Sequence, residues 1–167
     1  MTARRLTAGE WAELSPGLAD ALAAVNAAPQ IEDRAHFAAQ LARVRFGSVP
    51  VLALGKTIWW PNARGDFSGT TQMAVLQHEL QHVLDFAEGR LTALGYLMLP
   101  RNWSYRWKLT EHLNWKRLGA EQRACVAEAL WRAERSNRTR TVAALRQVVP
   151  WAQADKSSEL RPAISSS

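Results

Sequence analysis

Two histidines four residues apart, in His78-Glu79-Leu80-Gln81-His82, constrain this chain more than any other feature. Side chains at i and i+4 meet only if the backbone between them is helical, one turn separating them on the same face. The surrounding residues agree with that demand. Met73, Leu76, Leu80, Val83, Leu84 and Ala87 recur at helical spacing and predict a helix over 73–88. Gly89 follows as the stop, and Ser68 or Thr70 is placed to cap the start. On such a helix both imidazoles reach one tetrahedral zinc, with Zn–N distances of about 2.0–2.1 Å. Glu79 projects beside them and is placed to accept a proton from a zinc-bound water. Zinc lowers the pKa of that water towards ~7, which makes a nucleophile available at neutral pH.

A catalytic zinc site takes a third protein ligand and keeps one position open. Cysteine is excluded, because Cys125 is the only one and lies outside any paired motif. The metzincin continuation of the motif fails, with Asp85 at its glycine position and Glu88 at its third histidine position. On an unbroken helix Glu88 lies ~15 Å along the axis from His78 and cannot close the site. The third ligand therefore comes from a later element, and three candidates stand: Glu121, Glu128 and His112. Glu121 opens Glu121-Gln122-Arg123-Ala124, a Glu-x-x-Ala arrangement in which Ala124 leaves room for two helices to approach. Glu128 is seven residues on, on the same face. Asp85 is placed to orient His82. Tyr105 is the first choice for a hydrogen-bond donor to the reacting carbonyl, with Tyr96 and His112 as alternatives. His36 reads as a surface or capped histidine.

The length of 167 residues suits one domain, here 1–153, followed by a polar tail over 154–167 that is expected to be disordered. The formal charge is +6, and it is not evenly spread. Positions 101–146 hold 11 Lys or Arg against 4 Glu, so the excess lies in the segment that should carry the third ligand. A basic balance admits nucleic acid, anionic membrane surface or acidic substrates. Its location favours the wall of a cleft for an acidic peptide, and nucleic acid is not expected. No run approaches the ~18 apolar residues of a membrane span. Gly9, Glu10 and Glu13 stand where a signal peptide would be apolar, so the expected location is cytoplasmic, with export by a signal-independent route still open. Nothing in the sequence specifies an oligomeric state.

Pattern and punctuation predict the remaining elements. A helical stretch over 7–28 is broken near Ser15-Pro16-Gly17 and opens on a Thr7/Glu10 capping box. Residues 31–41 read as a second helix, and 41–46 are ambiguous between helix and strand. Residues 49–54 and 57–60 form a hairpin around Gly55-Lys56, and 61–66 form a loop. The run 91–99 is short and apolar, 103–115 is helical in part, 120–135 is a strong helix, and 141–149 is a final one.

The order of hairpin, HExxH helix, aromatic-basic segment and a helix opening Gly119-Ala120-Glu121-Gln122 resembles the bacterial Vgr-related proteins. More distantly it resembles small toxin-associated zinc metallopeptidase domains. The matching stretches are 45–60, 77–82 and 103–124, about half the chain. The resemblance implies an α+β, mostly α, minimal zincin-like fold. In it a short hairpin or small sheet packs on the HExxH helix and on a second, glutamate-bearing helix. It implies His78, His82 and Glu121 as zinc ligands and Glu79 as the base. One departure stands out: where some glutamate zincins carry an Asp that orients a histidine, this chain has Cys125. The expected activity is zinc-dependent hydrolysis of peptide bonds in a peptide or protein substrate. The alternatives are a weak or inactive zinc-binding domain within a secretion or phage-like assembly, or a basic module for polyanions.

Overall fold

The structure is a computed structural model in which residues 3–37, 39, 50–63 and 65–153 are described. The 154–167 tail and the ambiguous run 41–46 lie outside the described residues. The chain begins with β1 (Arg4–Arg5), α1 (Ala8–Ala12) and α2 (Pro16–Ala24). The capping box forms as expected: the Glu10 N–H donates to Thr7 Oγ1 at 3.2 Å and the Thr7 N–H donates to the Glu10 carboxylate at 2.8 Å. Pro16 opens α2, where its missing N–H costs nothing.

The expected helix over 31–41 is corrected at its start. Gln30–Glu32 is a strand, β2, and helical backbone is reached only at Phe37. The reason is tertiary: Ile31 pairs in parallel register with Ile58 and is 1% exposed, so pairing overrides a local helical pattern. The hairpin forms as β3 (Leu52–Leu54) and β4 (Thr57–Trp59), with Gly55 in the left-handed region that the turn needs (φ +61). The sheet order is β1-β2-β4-β3. β1/β2 and β3/β4 are antiparallel and β2/β4 is parallel, which leaves β3 at an edge among the described residues.

The HExxH sequence lies in α3 (Thr70–Ala87). Gly69 is its N-cap, and neither Ser68 nor Thr70 caps it. At the other end Gly89 turns back at φ +71, so the Leu91 N–H donates to the Asp85 carbonyl at 3.0 Å. The apolar run that follows is helical as α4 (Ala93–Met98), capped by Thr92. The expected helix content of 103–115 is confined to its edges, as 3₁₀ turns at Pro100–Trp103 and Trp115–Arg117. Helix α5 (Ala120–Arg135) has the expected bounds, and α6 (Thr139–Val148) and α7 (Pro150–Gln153) close the described chain.

Helices α3 and α5 lie side by side at the centre, with α3 also against β3. Leu76, Leu80 and Leu84 of α3 join Ala127 and Leu130 of α5, Ile58 of β4 and Leu18 and Leu22 of α2 in one core. Each fully buried side chain of this size stabilises the fold by roughly 1.5–3 kcal/mol. Ala120, Ala124 and Ala127 are fully buried on α5, and their small side chains let its backbone approach α3. The fold is therefore α+β and mostly α, with a small sheet against the HExxH helix. Among the described residues no helix is long and apolar enough to cross a membrane.

Candidate metal centre

Helix α3 turns His78 and His82 towards α5, their rings 5.1 Å apart and nearly perpendicular. Glu121, in the first turn of α5, meets both. Its carboxylate oxygens lie 3.0 Å from His78 Nε2 and 3.5 Å from His82 Nε2. Adjacent ligand atoms around a tetrahedral zinc at the usual bond lengths stand ~3.3 Å apart. The three side chains, all buried, thus have the spacing of a ligand set, with every ligand atom within 4.8 Å of the others. His82 Nδ1 is buried without a hydrogen-bond partner.

The position of Glu121 depends on a close approach. The chain at Arg101–Asn102 runs against the start of α5, and a Cβ on Gly119 would come within 2.0 Å of the Arg101 carbonyl. Only glycine fits there. The Gln122 side chain accepts the Gly119 N–H at 2.9 Å, and buried Asn102 accepts the Ala120 N–H at 3.2 Å. Asn102 also donates to the Gly95 carbonyl at 2.9 Å, tying α4 to the turn that carries Glu121.

Tyr96 of α4 donates its hydroxyl to Glu121 Oε1. Tyr105 also feels the Glu121 charge, and its ring stacks on His78 at 6.3 Å. Burial, reinforced by the Glu121 charge, pushes both phenols above their ordinary value, so both remain protonated donors. Burial works against ionised Glu121, yet bonds to His78 and His82 hold its carboxyl well below the ordinary range. Glu79 is 6% exposed, and the Ala53 backbone of β3 slightly favours its ionised form. Burial raises its proton affinity, and the charge of Glu121 adds to that effect against the two histidines.

Of the three candidate third ligands, the structure brings Glu121 to both histidines. Glu128 meets His78 from the other side, its Oε2 3.5 Å from Nδ1, while Arg132 donates to its Oε1 at 2.8 Å. It stands where an orienting carboxylate belongs. His112 is on an exposed turn beside Glu111, away from the cluster. Asp85 does not orient His82. Its carboxylate accepts from Arg123 at 2.8 Å and Gln81 at 2.9 Å, because a full guanidinium charge outcompetes a neutral imidazole.

Tyr105 and Glu79 line a cleft of about 820 Å³ together with His78, Glu121, Tyr96 and His36. His36, expected at the surface, is thus a cleft residue. Arg106 is the only Lys or Arg among the described lining residues. Much of the rest of the basic segment lies elsewhere: Arg101, Lys116 and Arg123 line a second cavity of about 880 Å³ with Arg90 and His112. Sequence reasoning missed Asn102 and the approach of Glu128 to His78 Nδ1. The spacing of Glu128 from Glu121, two turns of one helix, is the signal that could have shown the latter. No family model, curated protein or solved structure matches this chain.

Proposed function

We propose that the chain is a zinc-dependent metallopeptidase domain of the minimal glutamate-zincin kind. The observation that carries this reading is the convergence of His78, His82 and Glu121, with Glu79 buried beside them at the wall of a cleft. Two imidazoles and a carboxylate suit zinc. When bound, zinc would supply Lewis acidity that polarises an amide carbonyl and acidifies water. Glu79 then receives a proton from the attacking water as its oxygen adds to the carbonyl carbon. The same carboxyl delivers that proton to the amine nitrogen as the C–N bond breaks, so its raised proton affinity suits both halves of the transfer. Tyr105, with Tyr96 behind it, offers a hydroxyl proton where a carbonyl oxygen develops charge. Glu128 fixes the ring of His78 through Nδ1. A peptide is favoured over other amides because, among the described residues, β3 is an edge strand lining the same cleft, and an extended chain can pair with such an edge.

The test is digestion of an unfolded protein by the zinc-reconstituted chain, with Glu79→Gln as control. The expected result is cleavage by the wild type, none by the variant, and equal zinc in both. Zinc without cleavage in either would favour a binding role within an assembly. No zinc in the wild type overturns both readings.

A further inference from the structure

The cleft that holds Glu79 was expected, from the charge of 101–146, to suit acidic substrates. Its walls are instead apolar. Leu52 and Leu54 line it, flanking buried Ala53 on β3, and stay part-exposed because strand alternation turns them off the core face. Trp103 and Tyr105, 41% and 53% exposed, line it too, as does Phe37, 69% exposed. The aromatic wall is held in position. The Trp103 indole N–H donates to the Tyr96 carbonyl at 2.6 Å, which occupies its polar atom and leaves the ring as apolar surface. An ionised side chain entering between these walls would lose water and find Arg106 as its only Lys or Arg partner among the described lining residues. A large apolar side chain would cover surface that otherwise stays wet.

We propose that the cleft selects polypeptide segments carrying large apolar or aromatic side chains next to the bond presented to Glu79. The proposal rests on the peptidase reading for its cleavage consequence, and on the cleft walls alone for its binding consequence. The two are separated by measuring binding and cleavage independently. Three fluorescent peptides of one backbone sequence, with Leu and Phe, Asp and Glu, or Ser and Gly at two adjacent positions, are titrated with zinc-loaded Glu79→Gln protein and followed by anisotropy. The apolar peptide is expected to bind at least ~10-fold more tightly than either counterpart, a ratio within reach of apolar pocket contacts. Leu54→Lys and the exposed-site variant Phe37→Ser should each erase part of that difference, the second without risk to the core. Equal binding of all three peptides, preference for the acidic one, or no binding overturns the proposal. With wild-type protein, kcat/KM should follow the same order. Selective apolar binding without any cleavage would leave the proposal standing and overturn the peptidase reading.

Discussion

Asp85 and His82 sit three residues apart on α3, and each meets a charged residue near the start of α5, yet the two meetings differ in kind. At the back, Asp85 is fully buried and its charge is answered by Arg123 at 2.8 Å, with Gln81 on its other oxygen. Every strong acceptor there has a donor. At the front, Glu79, Glu121 and Glu128 crowd two histidines, and His82 Nδ1 is buried without a partner. Three carboxylates gather around two rings, and among the described residues only Glu128 is met by a guanidinium, that of Arg132. A balanced buried pair holds two helices in register; an unbalanced one of this composition suits a cation. The same pair of helices thus carries a structural joint and, about one turn away along α3, a candidate chemical site.

The largest effect that could break this contrast comes from Glu79. Glu79→Gln should lower kcat by about 10²–10⁴-fold through loss of the proton carrier, with zinc content unchanged. A fall in zinc alongside activity would mean that Glu79 belongs to the ligand set instead. The back cluster should answer differently. Arg123→Met removes the nearer guanidinium from buried Asp85, leaving Arg90 at 3.4 Å, and should cost about 1.5–3 kcal/mol in urea unfolding. Adding Asp85→Leu should recover much of that loss. If Arg123→Met left stability untouched, the structural reading of the back cluster would be wrong.

How much of this is legible in the sequence depends on the range over which each feature is determined. Helix α3 and its histidine spacing are local, so periodicity found them, and Glu121 was reached because Glu-x-x-Ala is itself a short motif. The α5 bounds were legible for the same reason, from Gly119 to the break at Ser136. Strand β2 was not, because Ile31 is extended by pairing with Arg4 and Ile58, each 27 residues away in sequence. The role of Asp85 was misassigned because position on a helix face does not reveal a competing guanidinium on another helix. The charge of 101–146 was counted correctly but not located, since a count does not say that Arg106 faces the cleft while Arg101 and Lys116 face another cavity.

Two smaller effects sharpen the contrast. Glu128→Gln should weaken zinc binding by about 10–100-fold in a competitive chelator titration, the usual scale for an orienting carboxylate. Its stability should change little, because the side chain is part-exposed. A wild-type affinity in that variant would remove Glu128 from the site. The smallest effect concerns a balanced cluster remote from both helices. Burial opposes ionised Glu10, but Arg4, at 2.7 and 2.8 Å, and the Phe67 and Thr7 N–H groups outweigh it and hold the carboxyl below its ordinary 4.5. A lowered carboxyl contributes stability above about pH 4.5 that is lost as the pH falls through its folded value. The urea midpoint should therefore drop on acidification below that point, and Glu10→Gln should flatten the drop. An unchanged slope in the variant would show that other carboxyls dominate.

The central claim is that the front cluster is a metal site, and metal content tests it most directly. After exposure to zinc and exhaustive dialysis, elemental analysis should find about one zinc per wild-type chain, as expected for a three-residue protein ligand set. His82→Ala and Glu121→Gln, checked for native circular dichroism, should retain far less. A wild type that emerges without zinc, or folded variants that keep the full complement, would contradict the account.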